Sequence, residues 1–529
     1  MKTEYTHKDR KHEVFQLEYN EDTLEAHVTS DITLDDYRSI TREDDWRLLE
    51  RFAKQMEGKT VVFINPTMSG GGVAMLRPPL VYLLRLLGVD AHWFVMQPRM
   101  NPHDENPFLF TKQMHNIMQR RTEPGEHFNE MGKAVHQDWN RENAQTLTRQ
   151  PEITDADVIV IDDPQPAPLK PYIEKVNPDA KLVWRNHIDT DGELMANPAT
   201  PQGQVADYIF NELDIGEVDA MITHPIERFV HPEFADKTYF APATIEPFDD
   251  LNRELSTEEI DEGVAFVNQQ IEKVNHEFER EGREDDIQPL IDPGRRRITL
   301  IARFDESKGM DKALRLGVET NDILREAGVA EEELPQIILT GNGSVDDPSG
   351  IPMYETMLQE RREQYRPNKD NIIIARLPHN YMAMNALMYP QPNQDGSYDG
   401  RQLVALQTSE AEGCETRITD WIRHGVPLVI SNRGGMKLQV NDGESGLILD
   451  YDKPDFDVER GAKWIADLML KDGRYQDLRE STLQAAEEFN SREFTTVANT
   501  TRLLRLFSRV LEGEPADRQW RIQDMTEGD

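Results

Sequence analysis

Glu412-Gly413-Cys414-Glu415-Thr416-Arg417-Ile418-Thr419-Asp420 is the stretch on which the fold reading turns. Two acids, Glu412 and Asp420, stand eight residues apart and lead into the turn Gly425-Val426-Pro427. The apolar run 428–431 and the pair Gly434-Gly435 follow, and another apolar run, 403–407, comes before. A short apolar run, a polar loop, a helix-length segment and a second apolar run form the pattern of a parallel sheet with helical crossovers. In such sheets the loops after the strands carry the ligand-binding groups.

The alternation extends in both directions. Runs at 298–301, 336–339 and 372–375 lie upstream, and 446–449 lies downstream. An earlier series comprises 60–65, 91–95, 158–161, 182–184 and 220–223. Between the two series, 249–297 breaks the pattern. Ser256 with Glu259 makes a capping box there, and a charged, helix-prone segment runs on to an Asp/Gly/Pro/Arg stretch. Near the end, Leu503, Leu504, Phe507, Val510 and Leu511 share one helical face. The fold class expected is α/β, with two Rossmann-like domains facing an interdomain cleft. The divisions expected are an N-terminal extension at 1–40, one domain at 41–248, and an acidic linker or insertion at 249–297. The second domain follows at 298–490, then a C-terminal helix and acidic tail at 491–529.

A chain of 529 residues suffices for two or three cores. It carries 98 Asp+Glu against 59 Lys+Arg, a formal charge of −39. That charge repels phosphate backbones and anionic lipid, so neither nucleic acid nor a membrane is expected as partner. Salt screens the self-repulsion, and a halophilic source is the expectation. Cys414 is the single cysteine, which suits a reducing cytoplasm. Residues 1–18 lack the apolar core of a signal peptide, and the apolar segment 81–89 carries Arg85 and reads as a buried helix.

Several segments can carry chemistry, and each also has a plainer reading. Gly70-Gly71-Gly72 lies between a strand and a helix, where backbone N–H groups can meet an anion, or simply turn the chain. Pro78-Pro79 implies a helix that starts near Arg77 or one that is distorted. Arg303 and Lys308 follow the strand at 298–301 and suit a phosphate, or are solvated surface charges. His187, in Trp184-Arg185-Asn186-His187-Ile188-Asp189, and the acids of Asp162-Asp163-Pro164-Gln165 also follow strands. No His/Cys cluster has ligand spacing, so no metal is expected, and no G-x-S-x-G elbow appears.

Taken together these segments resemble the trehalose phosphorylases and trehalose synthases, retaining glycosyltransferases of the GT-B fold. The likeness runs from Asn65-Pro66-Thr67 and Gly70–Ala74 through Asp162–Gln165 and Trp184–Asp189. It continues through Arg303–Gly309, Gly343–Pro348, Asn385-Ala386-Leu387 and Glu412–Asp420 to Gly434–Gln439. It covers roughly residues 35 to 510, with gaps. The resemblance implies that Gly71 and Gly72 face the donor phosphate and that His187 holds the transferred glucose at its hydroxymethyl side. Arg303 and Lys308 neutralise the leaving phosphate, and Glu412 binds glucose hydroxyls. Asn385 and Asp420 fall on the donor side, in the second domain. Asp163 and Arg185 fall on the acceptor side, in the first.

The resemblance admits two reactions. One is reversible phosphorolysis of trehalose to glucose 1-phosphate and glucose. The other transfers glucose from a nucleoside-diphosphate glucose to glucose. Neither needs a cofactor; phosphate or a sugar nucleotide is a co-substrate, and the expected partners are small sugars, with a homodimer admitted. Glu415, Arg417 and the Asp-Asp-Pro-Gln run match the phosphorylases, and Asp420 is shorter than the family's Glu. Gln165-Pro166-Ala167 matches the synthases. The departures at Cys414, Asp420 and Trp421 motivate a third reading, a non-catalytic sugar-binding protein on the same scaffold.

Overall fold

In the computed structural model every apolar run named above forms a strand. The structure describes residues 14–68, 72–98, 106–121, 128–342 and 350–525. The N-terminal lobe holds β1 (Phe15–Asn20), β2 (Glu25–Ser30), β3 (Thr60–Asn65), β4 (Asp90–Val95), β5 (Val158–Asp162), β6 (Lys181–Arg185), β7 (Ala220–Thr223) and β8 (Thr238–Phe240). The C-terminal lobe holds β9 (Arg297–Ile301), β10 (Gln336–Asn342), β11 (Ile372–Leu377), β12 (Leu403–Gln407), β13 (Leu428–Ser431) and β14 (Gly446–Leu449).

The second sheet has the order β11-β10-β9-β12-β13-β14 and every pairing is parallel. This is the doubly wound order with its reversal between β9 and β12. The first sheet runs β1-β2-β4-β3-β5-β6-β7-β8, reversing between β3 and β5. Successive residues feed opposite cores. Val61 and Phe63 face one, Val62 and Ile64 the other. Strands covered on both faces are apolar throughout, which is why they were so plain in the sequence.

Three strands escaped the sequence reading. β1 and β2 form an antiparallel hairpin that joins the N-terminal sheet beside β4, so residues 15–30, read as part of an extension, extend the fold. Their half-buried, alternating faces lack a continuous apolar run. β8 has three residues, too few to signal. The segment 249–297 also proves structured. Its capping box starts a 25-residue helix, Thr257–Glu281, whose Val264, Val267 and Ile271 pack in a C-terminal-lobe core. The acidic face turned to solvent had masked that stripe.

Two features tie the lobes together. The helix Thr496–Glu512 crosses back onto the N-terminal lobe, with Leu503, Leu504, Phe507 and Val510 in the core of Val61 and Phe63. The helix Gly72–Leu86 runs through Pro78 and Pro79. Pro78 falls beyond the first turn and has no N–H to bond the preceding turn, next to the buried Arg77. Among the described residues no helix is long and apolar enough to cross a membrane.

Candidate active site

Both reversal points open onto one cleft between the lobes. The loops after β3, β5, β6 and β7 form one wall, and the end of β10 with the loops after β9, β11 and β12 forms the other. Of the residues singled out from sequence, Gly72, Asp163, His187, Arg303, Lys308 and Glu412 line it. Gly71 and the segment 343–348 lie outside the described residues.

On the C-terminal wall Lys308 meets two carboxylates. Its Nζ lies 2.5 Å from Glu412 Oε2 and 2.6 Å from Glu415 Oε2, and each of the three side chains keeps 15% of its surface or less. Burial pushes Glu412 up, and the Glu415 carboxylate adds to this. Burial would raise Glu415 too, but Lys308 and Arg417 hold it low. Gly309 (φ +60°) makes this loop feasible. A Cβ there would stand 2.2 Å from the Thr408 carbonyl oxygen, at the end of β12.

On the N-terminal wall Asp162, the last residue of β5, is fully buried. Arg77 grips it: Nε lies 2.9 Å from Oδ2 and Nη2 2.6 Å from Oδ1. The same Oδ1 lies 3.0 Å from His187 Nε2. Burial alone would raise Asp162, but Arg77, His187 and Arg185 together hold it at about 2. Burial, with Arg185 nearby, keeps His187 down at about 4, so the ring is neutral at pH 7. Asp163 takes a left-handed conformation (φ +64°), and its Oδ1 accepts the His187 backbone N–H at 2.8 Å. Burial pushes Asp163 up to about 7.

The walls touch. A Cβ on Gly413 would stand 2.0 Å from the His187 carbonyl oxygen and 2.9 Å from His224 Cδ2, so only glycine admits this approach. The Glu412 N–H reaches Asp189 Oδ2 at 3.4 Å. Lys112 pairs with Asp305 at 2.5 Å, and Arg121 pairs with Glu410.

Three expected site residues stand back from the cleft lining. Asn385 is fully buried and donates to the Asp250 and Arg253 carbonyls, joining the lobe to its connecting segment. Arg185 is 1% exposed, behind Asp162 and Asp163. Asp420 is fully buried on the helix Arg417–Arg423 and paired with Arg417 of the same helix. Burial pushes Asp420 up to about 6 in spite of that partner. The lining also includes residues that the sequence left unmarked, among them Lys112, His115, Asn342, His379 and Tyr381. None stands in a motif: Lys112 and His115 come from the helix Pro107–Met118, Asn342 ends β10, and His379 and Tyr381 follow β11. Arg77 had a faint signal, as a charged residue inside an apolar helix.

Comparison with known proteins agrees with this architecture. A family model described as the trehalose synthase N-terminal domain matches residues 63–231. A trehalose phosphorylase of Pleurotus pulmonarius is 28% identical over 508 residues, covering 94% of this chain and 64% of the relative. A trehalose synthase of Thermococcus litoralis is 28% identical over 420 residues, covering 79% of this chain and 84% of the relative. The chain thus spans under two thirds of the length of the phosphorylases it matches. Among solved structures, a trehalose-phosphate synthase (UDP-forming) from Burkholderia xenovorans has TM-score 0.57 at 11% identity, covering 85% of this chain and all of that one. A sucrose-phosphate synthase from Thermosynechococcus elongatus has TM-score 0.54 at 12% identity, covering 86% and 100%. The chain has the GT-B fold, and along most of its length its sequence is similar to trehalose phosphorylases and trehalose synthases.

Proposed function

We propose that the protein is a retaining α-glucosyltransferase of trehalose metabolism that works by reversible phosphorolysis. The observation that carries this reading is the state of Asp420. The carboxylate that a nucleotide ribose would need is buried and taken up by Arg417, while Lys308, Arg303 and Arg417 line the cleft. These cations lie among the carboxylates of Glu412, Glu415 and Asp420, and an arriving phosphate would exchange with those carboxylates for Lys308 and Arg417.

In the cleavage direction a phosphate oxygen approaches C1 on the face from which the second glucose departs. The glycosidic C1–O bond breaks and a C1–O bond to phosphate forms. The phosphate's proton passes to the departing oxygen, giving α-glucose 1-phosphate and glucose. No pair of flanking carboxylates is required, unlike a glycosidase. Lys308 and Arg303 stabilise the negative charge that phosphate carries through the transition state. Glu412 and His187 hold the glucose that is transferred, and lobe contact at Gly413 excludes water. Trehalose, phosphate and their products are the partners proposed; the reducing cytoplasm suits the lone Cys414, and the charge of −39 suits a salt-rich one.

Transfer from a nucleoside-diphosphate glucose is the second reading, favoured by the synthase family model over 63–231. Incubation with trehalose plus phosphate, and separately with glucose plus uridine- or adenosine-diphosphoglucose, separates the two. Glucose 1-phosphate from the first mixture supports phosphorolysis. Trehalose from the second alone refutes it. Bound trehalose with no product in either mixture indicates a sugar-binding protein.

A further inference from the structure

His187 is held by more contacts than a substrate contact needs. Its backbone N–H is bound by Asp163, its carbonyl accepts from His224 Nε2 at 3.1 Å, and its ring Nε2 is bound by Asp162. The ring Nδ1 makes no hydrogen bond among the described residues, and the side chain keeps 6% of its surface, on the cleft side of the fold. We propose that Asp162, clamped by Arg77, is a positioning residue that locks His187 in the Nε2–H tautomer, so that Nδ1 faces the cleft as an acceptor for a sugar hydroxyl. The inference rests on the reading of the cleft as a glucose site.

The argument is one of donors and acceptors. An ionised carboxylate can only accept, so the imidazole nitrogen it meets must carry the hydrogen. Asp162 is kept ionised because Arg77 presents two N–H groups to it with neither side chain exposed to solvent. Arg77 is fixed in turn by the Asn65 side-chain oxygen at 3.2 Å, which also accepts from Trp93 Nε1 at 2.9 Å. The chain of contacts therefore runs from the β3 and β4 ends through Arg77 to Asp162, at the end of β5, and on to His187. Asp162 itself stays outside the cleft lining, so it acts through His187 rather than on the sugar.

Asparagine at 162 reverses the outcome. Its carbonyl oxygen must still receive Arg77, so its NH2 points at His187 Nε2 and requires a bare nitrogen there. The hydrogen moves to Nδ1, and the cleft-facing group changes from acceptor to donor. The Asp162→Asn variant is expected to lose about a hundredfold or more in kcat/KM for trehalose cleavage; it is expected to melt below the parent, because the buried Arg77 loses its carboxylate, and to remain folded at the assay temperature by circular dichroism. In a His187→Gln background, where no tautomer exists, Asp162→Asn is expected to add less than about twofold. A full loss in that background, or a near-parental rate for the single variant, overturns the proposal. Histidine 15N NMR gives a readout that needs no turnover. The ring signals absent in His187→Gln are expected to show a protonated Nε2 and a bare Nδ1, exchanged in Asp162→Asn. A protonated Nδ1 in the parent overturns the tautomer assignment even if the protein cleaves trehalose. If the protein cleaves no trehalose while the tautomer is as stated, the glucose-site reading fails and the positioning geometry stands.

Discussion

At the scale of residues, Lys308 carries the sharpest expectation. On the proposed mechanism Lys308→Ala is expected to lower turnover at least about a thousandfold, because it removes a cleft cation assigned to the phosphate. The fold is expected to survive, since Glu412 and Glu415 lie at the cleft surface and can take up water or protons; circular dichroism and kinetics together check this. Glu246 offers a pH test away from the chemistry. It is fully buried, accepts from the Tyr37 hydroxyl at 3.2 Å and the Phe248 N–H at 3.1 Å, and burial pushes it up to about 7. The native carboxyl keeps its proton to about pH 7, whereas in the unfolded chain it ionises near 4.5. Its stabilising contribution is therefore fully present below 4.5 and lost as pH rises through 7. Glu246→Gln does not titrate, so between pH 5 and 8 it is expected to gain on the order of 2 kcal/mol over the parent in urea unfolding. A constant difference would refute the burial argument. The place of His187, Arg303, Lys308 and Glu412 in the cleft was legible because His187 and Arg303 stand just past strand ends, and Lys308 and Glu412 stand further along loops that leave β9 and β12. Asp420 was legible as an acid but not as a withdrawn one, because its pairing with Arg417 depends on side-chain direction within the helix Arg417–Arg423.

At the scale of elements, the loop after β6 and the loop after β12 meet across the cleft. Gly413→Ala places a methyl group against the His187 carbonyl and is expected to cut kcat/KM about a hundredfold or more, with melting temperature little changed. A rate within a factor of three of the parent would mean that the lobes need not approach this closely. The helix Thr496–Glu512 poses a different question, since it belongs to the far end of the chain yet completes the N-terminal core. Phe507 is fully buried with its ring centroid 6.2 Å from that of Phe63, so Phe507→Ala is expected to destabilise the protein by about 3–5 kcal/mol. The apolar face of this helix was plain in the sequence; its destination was not, because periodicity specifies a face and no partner. The same limit applied to Thr257–Glu281: its capping box and helix-prone run were read, but not that its apolar stripe packs in a C-terminal-lobe core.

At the scale of the whole molecule, two sheets that reverse order at facing loops bring residues at or beyond the C-terminal ends of eight strands into one cleft. That much follows from strand count and alternation, and it was readable. The cross-lobe pairs were not: Lys112 with Asp305, Arg121 with Glu410 and Arg492 with Asp45 join residues hundreds of positions apart. The net charge of −39 works against both lobe closure and compactness. Raising potassium chloride from 0.1 to 2 M is expected to raise the melting temperature by several degrees as self-repulsion is screened. A fall would show that the ion pairs outweigh the repulsion. The claim that phosphate is the nucleophile is tested most directly by 31P NMR of the protein with trehalose and inorganic phosphate and no nucleotide. The account expects the phosphate signal to decline as an equal amount of α-glucose 1-phosphate appears, in step with free glucose. An unchanged phosphate signal, from protein that makes trehalose with a nucleoside-diphosphate glucose, would contradict it.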